Sequence, residues 1–152
     1  MRRIGITVNG KKRNAFVKDN ELLLDVLREK LGVKSVKAAC WRGECGLCTV
    51  ILNGKPAKSC LVLAVEAEDA IVLTAEGLAE DGLNEIQNAF VRHGAAQCGF
   101  CTPAFVLTCD YILHNIDVKN EKDVLELLNG LICRCGTYNQ IKEAVASVIN
   151  KK

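Results

Sequence analysis

The chain has 152 residues, among them nine Cys, two Pro and two His, and its formal net charge is +2. A chain of this length buries about two thirds of its unfolded surface, so it fits either one compact domain or two small ones. The near-zero charge argues against a basic nucleic-acid binder, and no apolar run approaches the ~20 residues needed to cross a bilayer.

The N-terminal segment, Met1 to Asn9, carries two Arg but no apolar run behind them. We therefore expect no signal peptide and a cytoplasmic protein. Disulfides are disfavoured in that compartment, and an odd number of Cys cannot all pair within one chain. Clustered Cys in this setting indicate metal or redox chemistry.

The first half of the chain predicts strands with one helix. Alternating apolar residues and two Asn-Gly pairs, which favour tight hairpin turns, carry this expectation. The predicted elements are a hairpin over 4–17 that turns at Asn9-Gly10, a helix over 21–31 with Gly32 as its C-cap, a strand over 49–52 that turns at Asn53-Gly54, and a last strand over 70–73. This order of elements is typical of a β-grasp domain.

The second half predicts helices throughout, which implies a small four-helix bundle. Thr102 is expected to cap a helix with Pro103 at its first position, and Thr137 is expected to open a capping box. The predicted helices run from Leu83 to His93, from Thr102 to about His114, from Asn120 to about Leu128 and from Thr137 to about Ile149.

A polar stretch with two Gly, residues 74–82, separates the two halves and predicts a domain boundary near residue 78. The sequence therefore predicts an α+β protein of two domains. The first is a β-grasp domain over residues 1–77, and the second is a helical domain over residues 78–152.

The first group of Cys has the spacing Cys40-x4-Cys45-x2-Cys48, and Cys60 follows in a separate segment. The first three match the ligand spacing of plant-type [2Fe–2S] ferredoxins, in which one loop holds three thiolates. A zinc site with four thiolate ligands is the alternative. Only Cys45-x2-Cys48 has the spacing of a zinc knuckle, so the iron–sulfur reading is favoured.

The second group of Cys consists of Cys98-x2-Cys101 and Cys133-x-Cys135. A helix is predicted directly behind Cys101, and helix N-termini favour the negative charge of a thiolate-ligated cluster. Cys133 and Cys135 would stand far apart on a regular strand, so we expect a turn that ends at Gly136. Taken alone, this spacing is only moderately specific.

Together, the two groups resemble the small iron–sulfur subunit of the molybdenum hydroxylases, the enzymes that include xanthine dehydrogenase, aldehyde oxidoreductase and carbon monoxide dehydrogenase. The resemblance covers nearly the whole chain. It rests on three segments, Cys40-Trp41-Arg42-Gly43-Glu44-Cys45-Gly46-Leu47-Cys48-Thr49-Val50, Gln97-Cys98-Gly99-Phe100-Cys101-Thr102-Pro103 and Cys133-Arg134-Cys135.

The resemblance implies a ferredoxin-like domain and a helical domain, each holding one [2Fe–2S] cluster. The metal ligands it implies are Cys40, Cys45, Cys48 and Cys60 in the first domain and Cys98, Cys101, Cys133 and Cys135 in the second. It also implies that Gln97 and Cys135 contact the pterin of the molybdenum cofactor. Electrons would pass from molybdopterin on a large partner subunit through both clusters to FAD on a medium partner subunit, in a dimer of heterotrimers.

The chain departs from the common family pattern at three places. Ala39 precedes the first ligand where Gly is frequent, Ala104 follows the Thr-Pro pair where Gly is common, and Gly136-Thr137 stands where Thr-Gly is common. These changes leave the ligands intact and bear on helix docking and cluster potential.

Outside the two groups, the sequence favours ordinary packing or surface roles. Cys109 lies on an apolar helix and is expected to be a buried, inert thiol. The two His residues lie near predicted helix ends and are not needed as ligands. Trp41, beside the first ligand, fits packing and partner contact equally well.

The chain carries no phosphate-binding loop, nucleophile elbow or paired-carboxylate motif, so we expect an electron-transfer subunit without a substrate site of its own. The oxidoreductase activity would belong to the complex, and the substrate would be chosen by another chain. Two alternatives remain, a free-standing two-cluster ferredoxin-like carrier and a zinc module that binds another macromolecule. The helical second half argues against the first, and the near-neutral charge gives no support for nucleic acid.

Overall fold

The computed structural model describes residues 1–79 and 81–150. Glu80, in the predicted boundary stretch, and Lys151 and Lys152, at the end of the predicted second domain, lie outside the described residues. The strands are β1 (Arg2–Val8), β2 (Lys11–Val17), β3 (Thr49–Leu52), β4 (Lys55–Lys58) and β5 (Ile71–Leu73), and the helices are α1 (Leu23–Asp25, continued by a π-helical segment, Val26–Lys30), α2 (Glu85–Arg92), α3 (Thr102–Asn115), α4 (Glu121–Leu127) and α5 (Tyr138–Ile149). Short 3-10 segments cover Ser59–Leu61, Ala64–Ala67, Ala75–Ala79 and Leu128–Gly130.

The five strands form one mixed sheet in the order β2-β1-β5-β3-β4. β1 and β5 are parallel, and the other neighbours are antiparallel. Both predicted hairpins are confirmed: φ is +48° at Asn9 and +76° at Gly10, and +48° at Asn53 and +79° at Gly54. Two left-handed residues in a row are the requirement of a tight hairpin turn, which Asn-Gly meets at low cost.

The predicted helix over 21–31 is shorter than expected and begins at Leu23. The carbonyl of Glu21 accepts a backbone hydrogen bond from Ala64 at 2.8 Å, so the residues before the helix are held in extended pairing with a distant segment. That non-local pairing overrides the local helical spacing. Gly32, with φ +70°, ends the helical segment as predicted.

Two predicted helix caps are wrong. α3 begins at Thr102 itself, so Thr102 is the first helical residue and not the cap, and its hydroxyl is buried without a hydrogen-bond partner. Thr137 precedes α5, but its side chain makes no capping bond and lies 3.0 Å from the Sγ atom of Cys133. The side chain of Asn120 caps α4, and that of Asn84 caps α2 within a capping box; neither cap was among the sequence predictions.

Two buried clusters of apolar side chains make up the core. One lies against the sheet and includes Ile4, Val17, Leu24, Val50 and Val72. The other lies among the four helices of the second half and includes Phe90, Phe105, Cys109, Val124 and Val145, together with Leu47 from the first half. The predicted α+β architecture, a ferredoxin-like sheet domain followed by a helical bundle, is confirmed. Among the residues that the structure describes, no helix combines the length and apolar character that a bilayer span requires.

Candidate metal centres

The first set of candidate ligands, called the first ligand set below, is built by a loop and by the end of a hairpin. Cys40, Cys45 and Cys48 lie on the irregular segment before β3, and Cys60 lies in the 3-10 segment after β4. The hairpin brings the two parts together because the hydroxyl of Ser59 donates a hydrogen bond to the carbonyl of Cys48 at 2.7 Å. Ser59 is fully buried, so this bond fixes Cys60 beside the loop.

Backbone amides point at the first thiol of the loop. The Sγ atom of Cys40 accepts hydrogen bonds from the amides of Arg42 at 3.4 Å and Cys45 at 3.5 Å. These two hydrogen bonds lower the pKa of Cys40 to about 6, and the bond from the Cys45 amide has the larger effect. The loop can turn its amides inward because Gly43 and Gly46 adopt φ values of +75° and +71°. The site therefore favours a thiolate, which is the form that binds metal.

The other thiols of the first set lie deeper. Burial, followed by the neighbouring side chain of Cys48, raises the pKa of Cys60 to about 11. Burial also raises the pKa of Cys45, which interacts in turn with the side chain of Cys40. The set is thus two interacting pairs, Cys40 with Cys45 and Cys48 with Cys60.

The second ligand set joins the segment before α3 to the segment before α5. Burial, followed by the side chain of Cys133, raises the pKa of Cys101 to about 12. The pKa of Cys98 is lowered mainly by a hydrogen bond from the amide of Phe100. The side chain of Cys135 interacts with Cys98 and has the next largest lowering effect. These thiols again form two pairs, Cys101 with Cys133 and Cys98 with Cys135.

The thiol of Cys133 has a further partner. Burial acts to raise its pKa, but hydrogen bonds from the Thr137 side chain and backbone, together with those from the Cys101 side chain and the Gly136 backbone, outweigh burial and lower the pKa to about 7. The backbone of the segment turns at Gly136, whose φ is +80°, so the predicted turn is confirmed. The hydroxyl of Tyr138 accepts the amide hydrogen of Cys133 at 2.7 Å, which fixes the ligand backbone as well.

The donor sets fit a two-iron cluster. A [2Fe–2S] cluster takes four thiolates, two on each iron, so it requires two pairs of Cys. Each set supplies two interacting pairs, one of them partly or wholly accessible and one buried. Within residues 1–79 and 81–150, no group of three or more His, Cys, Asp or Glu side chains is gathered around the position of one metal ion.

The two ligand sets are in direct contact. The carbonyl of Cys45 accepts a hydrogen bond at 3.1 Å from the amide of Ile132, the residue before the candidate ligand Cys133. The approach is so close that a Cβ atom at Gly46 would lie 2.3 Å from the carbonyl oxygen of Gly130. No local pattern in the sequence predicts this contact, because it joins segments more than 80 residues apart.

Gln97 and Cys135, both expected at a pterin, lie together in the structure. The Nε2 atom of Gln97 donates to the carbonyl of Cys135 at 3.5 Å. Both residues are exposed, as is Cys98. This edge of the second set is therefore open to a partner.

The remaining candidates take other roles. Cys109 is fully buried in α3 among apolar side chains, as predicted, and burial raises the pKa of its thiol. The indole Nε1 of Trp41 donates to Asp25 at 3.3 Å while about half of the side chain remains exposed. Arg42 pairs with Glu44 at 3.3 Å on the surface.

Two family models match the chain. One, described as a 2Fe-2S iron-sulfur cluster binding domain, matches residues 6–79, and the other, described as a [2Fe-2S] binding domain, matches residues 74–146. The small FeS subunit of nicotinate dehydrogenase from Eubacterium barkeri is 40% identical over 97% of this chain and 95% of its own length. The chain belongs to the small iron–sulfur subunits of the molybdenum hydroxylase family.

One solved structure and one longer sequence relative agree with this assignment of the iron–sulfur subunit. Quinoline 2-oxidoreductase from Pseudomonas putida 86 has a chain that superposes with a TM-score of 0.90 at 41% identity, over 95% of this subunit and 90% of that chain. The aldehyde oxidoreductase of Megalodesulfovibrio gigas is 40% identical over 97% of this subunit, which spans only 17% of that much longer protein. The subunit therefore carries two [2Fe–2S]-binding domains, and its oxidoreductase activity is that of a larger enzyme.

Proposed function

We propose that this subunit relays electrons from the molybdopterin centre of a large partner subunit, through two [2Fe–2S] clusters, to FAD on a medium partner subunit. The observation that carries the proposal is the hydrogen bond at 3.1 Å between the carbonyl of Cys45 and the amide of Ile132. It joins the two ligand sets through one backbone contact, so the protein holds them at a fixed separation. A chain that stored or sensed metal would not need that contact.

The proposed ligands divide between the proposed domains. Residues 1–77 supply Cys40, Cys45, Cys48 and Cys60, and residues 78–152 supply Cys98, Cys101, Cys133 and Cys135. When bound, each cluster takes up and releases one electron at a time. The chain's own part is to hold the thiolates in pairs and to donate hydrogen bonds to their sulfur atoms, which stabilises the added negative charge of the reduced form.

The second set is proposed to face the molybdenum cofactor. The ligands Cys98 and Cys135 are exposed, and the amide of Gln97 lies against the carbonyl of Cys135 at 3.5 Å. An exposed amide beside an exposed ligand can bind the polar edge of a pterin while the other pair of thiols stays buried. Gln97 and Cys135 are therefore the proposed pterin contacts.

The first set is proposed to face the flavin subunit. Trp41 and Leu61, the residues directly after Cys40 and Cys60, leave 49% and 62% of their surface exposed. Large apolar side chains exposed next to ligands are typical of a surface that a partner protein covers. An electron could leave the subunit there without crossing the helical half.

The proposed assembly is a cytoplasmic dimer of heterotrimers. Nicotinate dehydrogenase is named with this chain's relative as its small subunit, which implies larger ones. The aldehyde oxidoreductase relative contains a segment similar to this chain within a single long protein. Both relatives support the proposal that this subunit works beside a larger catalytic part.

The experiment is to purify the affinity-tagged chain from the cells that produce it, without denaturants, and to identify what accompanies it. The proposal expects two larger chains, with molybdenum and FAD bound in proportion to the subunit. A variant with Gln97→Ala tests the pterin contact and should slow reduction of the clusters by substrate while leaving iron content unchanged. Isolation of the tagged chain alone, with both clusters and no partner, would instead establish the free-standing carrier.

A further inference from the structure

The hydroxyl of Thr137 lies 3.0 Å from the Sγ atom of Cys133, and both side chains are nearly inaccessible, at 1% and 6% exposure. A hydrogen bond removed from water is stronger than one on the surface, because no solvent molecule competes for either partner. The second ligand set therefore contains a hydrogen bond that is shielded from solvent.

The direction of this hydrogen bond follows from metal ligation. A free thiol and a hydroxyl can each donate, but a Cys that holds iron is a thiolate and can only accept. With Cys133 as a ligand, the Thr137 hydroxyl is therefore the hydrogen-bond donor, and the Cys133 sulfur is the acceptor.

The position of Thr137 supports a dedicated role. It precedes α5, where a Thr side chain ordinarily accepts a hydrogen bond from the helix backbone, yet its hydroxyl makes no capping bond. The hydroxyl contacts the sulfur of Cys133 and leaves the helix end without a side-chain cap. Gly136 permits this arrangement, because its φ of +80° reverses the chain between Cys135 and the helix.

We propose that Thr137 is a positioning residue that donates a hydrogen bond to the Cys133 thiolate and raises the reduction potential of the cluster held by the second set. Reduction adds negative charge that is shared by the ligand sulfurs, so a donor aimed at one of them stabilises the reduced form more than the oxidised form. The inference rests on the proposed function, in that Cys133 must be a cluster ligand.

The test is an EPR-monitored redox titration of the iron-loaded complex with Thr137→Val, which removes the hydroxyl at nearly constant volume. We expect the equilibrium constant for reduction of the second cluster to fall about tenfold, which corresponds to about 59 mV for one electron. The first cluster is an internal reference and should keep its potential. Thr137→Ser, which restores a hydroxyl, should return the second cluster close to its original potential.

Thr108→Val is the matched control, since Thr108 is another buried hydroxyl of the helical half and has no hydrogen-bond partner. It should leave both potentials unchanged. If Thr137→Val and Thr137→Ala fail to retain the second cluster while Thr137→Ser retains it, the donor is needed to hold the cluster, which also supports the proposal. A fully loaded Thr137→Val protein with unchanged potentials, or a Thr137→Ser protein that behaves like Thr137→Val, would overturn it. If the protein without any substitution holds no iron at the second set, the proposed function is refuted instead.

Discussion

The amide of Ile132 donates a hydrogen bond of 3.1 Å to the carbonyl of Cys45, and this contact joins the two halves of the molecule where each presents its proposed metal ligands. Cys45 is itself a proposed ligand of the first set, and Ile132 directly precedes a proposed ligand of the second. The two sets are therefore held against each other by a backbone hydrogen bond.

Replacement of Gly46 should disrupt this contact. In Gly46→Ala the added Cβ would lie 2.3 Å from the carbonyl oxygen of Gly130, and the φ of +71° would be strained as well. The strain alone costs about 1–2 kcal/mol, and the clash with backbone adds to it. Thermal unfolding should show the loss of stability, and EPR should show weaker magnetic coupling between the two clusters.

Gly54→Ala is the control for that variant. Gly54 has a similar φ of +79°, but nothing lies within 4 Å of the position of its Cβ. It should show the backbone strain without a change in cluster coupling. Equal losses of thermal stability in the two variants would show that the close approach at Gly46 does not contribute to stability.

Single ligand substitutions should remove one cluster at a time. Cys60→Ala should lose the first cluster and Cys101→Ala the second, because each cluster needs its four thiolates, so about half of the iron should be missing in each case. Iron analysis and EPR measure this directly. Cys109→Ala removes a buried thiol that belongs to neither set and should retain both clusters. Loss of iron in Cys109→Ala, or full iron in the other two, would contradict the ligand assignment.

Lys58 should stabilise the first ligand loop. Its ammonium donates a hydrogen bond to the carbonyl of Gly43, within the loop that holds three proposed ligands. A charged hydrogen bond of this kind contributes about 1.5–3 kcal/mol, so Lys58→Met should lower the unfolding free energy by that order and shift the first potential to a more negative value. Lys55→Met, an exposed position on the same strand, is the control and should change neither.

Asp110 should make stability depend on pH. Burial raises its pKa above the ordinary value of 3.8, against the opposing effects of His114 and of the hydrogen bond from Asn84. A carboxyl whose pKa is higher in the folded state favours folding when protonated, so its contribution is present below pH 3.8 and is lost as the pH rises through the folded-state pKa. Asp110→Asn should therefore gain thermal stability relative to the original protein as the pH rises from 3.8 through the folded-state pKa of Asp110. A difference that is constant over this range would show that Asp110 does not titrate as described.

Local patterns in the sequence predict much of this structure. The spacing of the Cys residues marked both ligand groups, and Asn9-Gly10 marked a hairpin, because turn geometry depends on the turn residues themselves. The assignment of a cap to Thr137 was wrong because a thiol four residues earlier in the chain is a better partner for its hydroxyl. The contact of Cys45 with Ile132 could not be predicted, since it depends on how two independently built halves pack together.

The most direct test of the account is the iron, sulfide and zinc content of the purified subunit, measured together with the EPR spectrum after reduction. We predict about four irons and four sulfides per chain, with two distinguishable [2Fe–2S] signals of about one spin each. Stoichiometric zinc without iron, or a single cluster per chain, would contradict it.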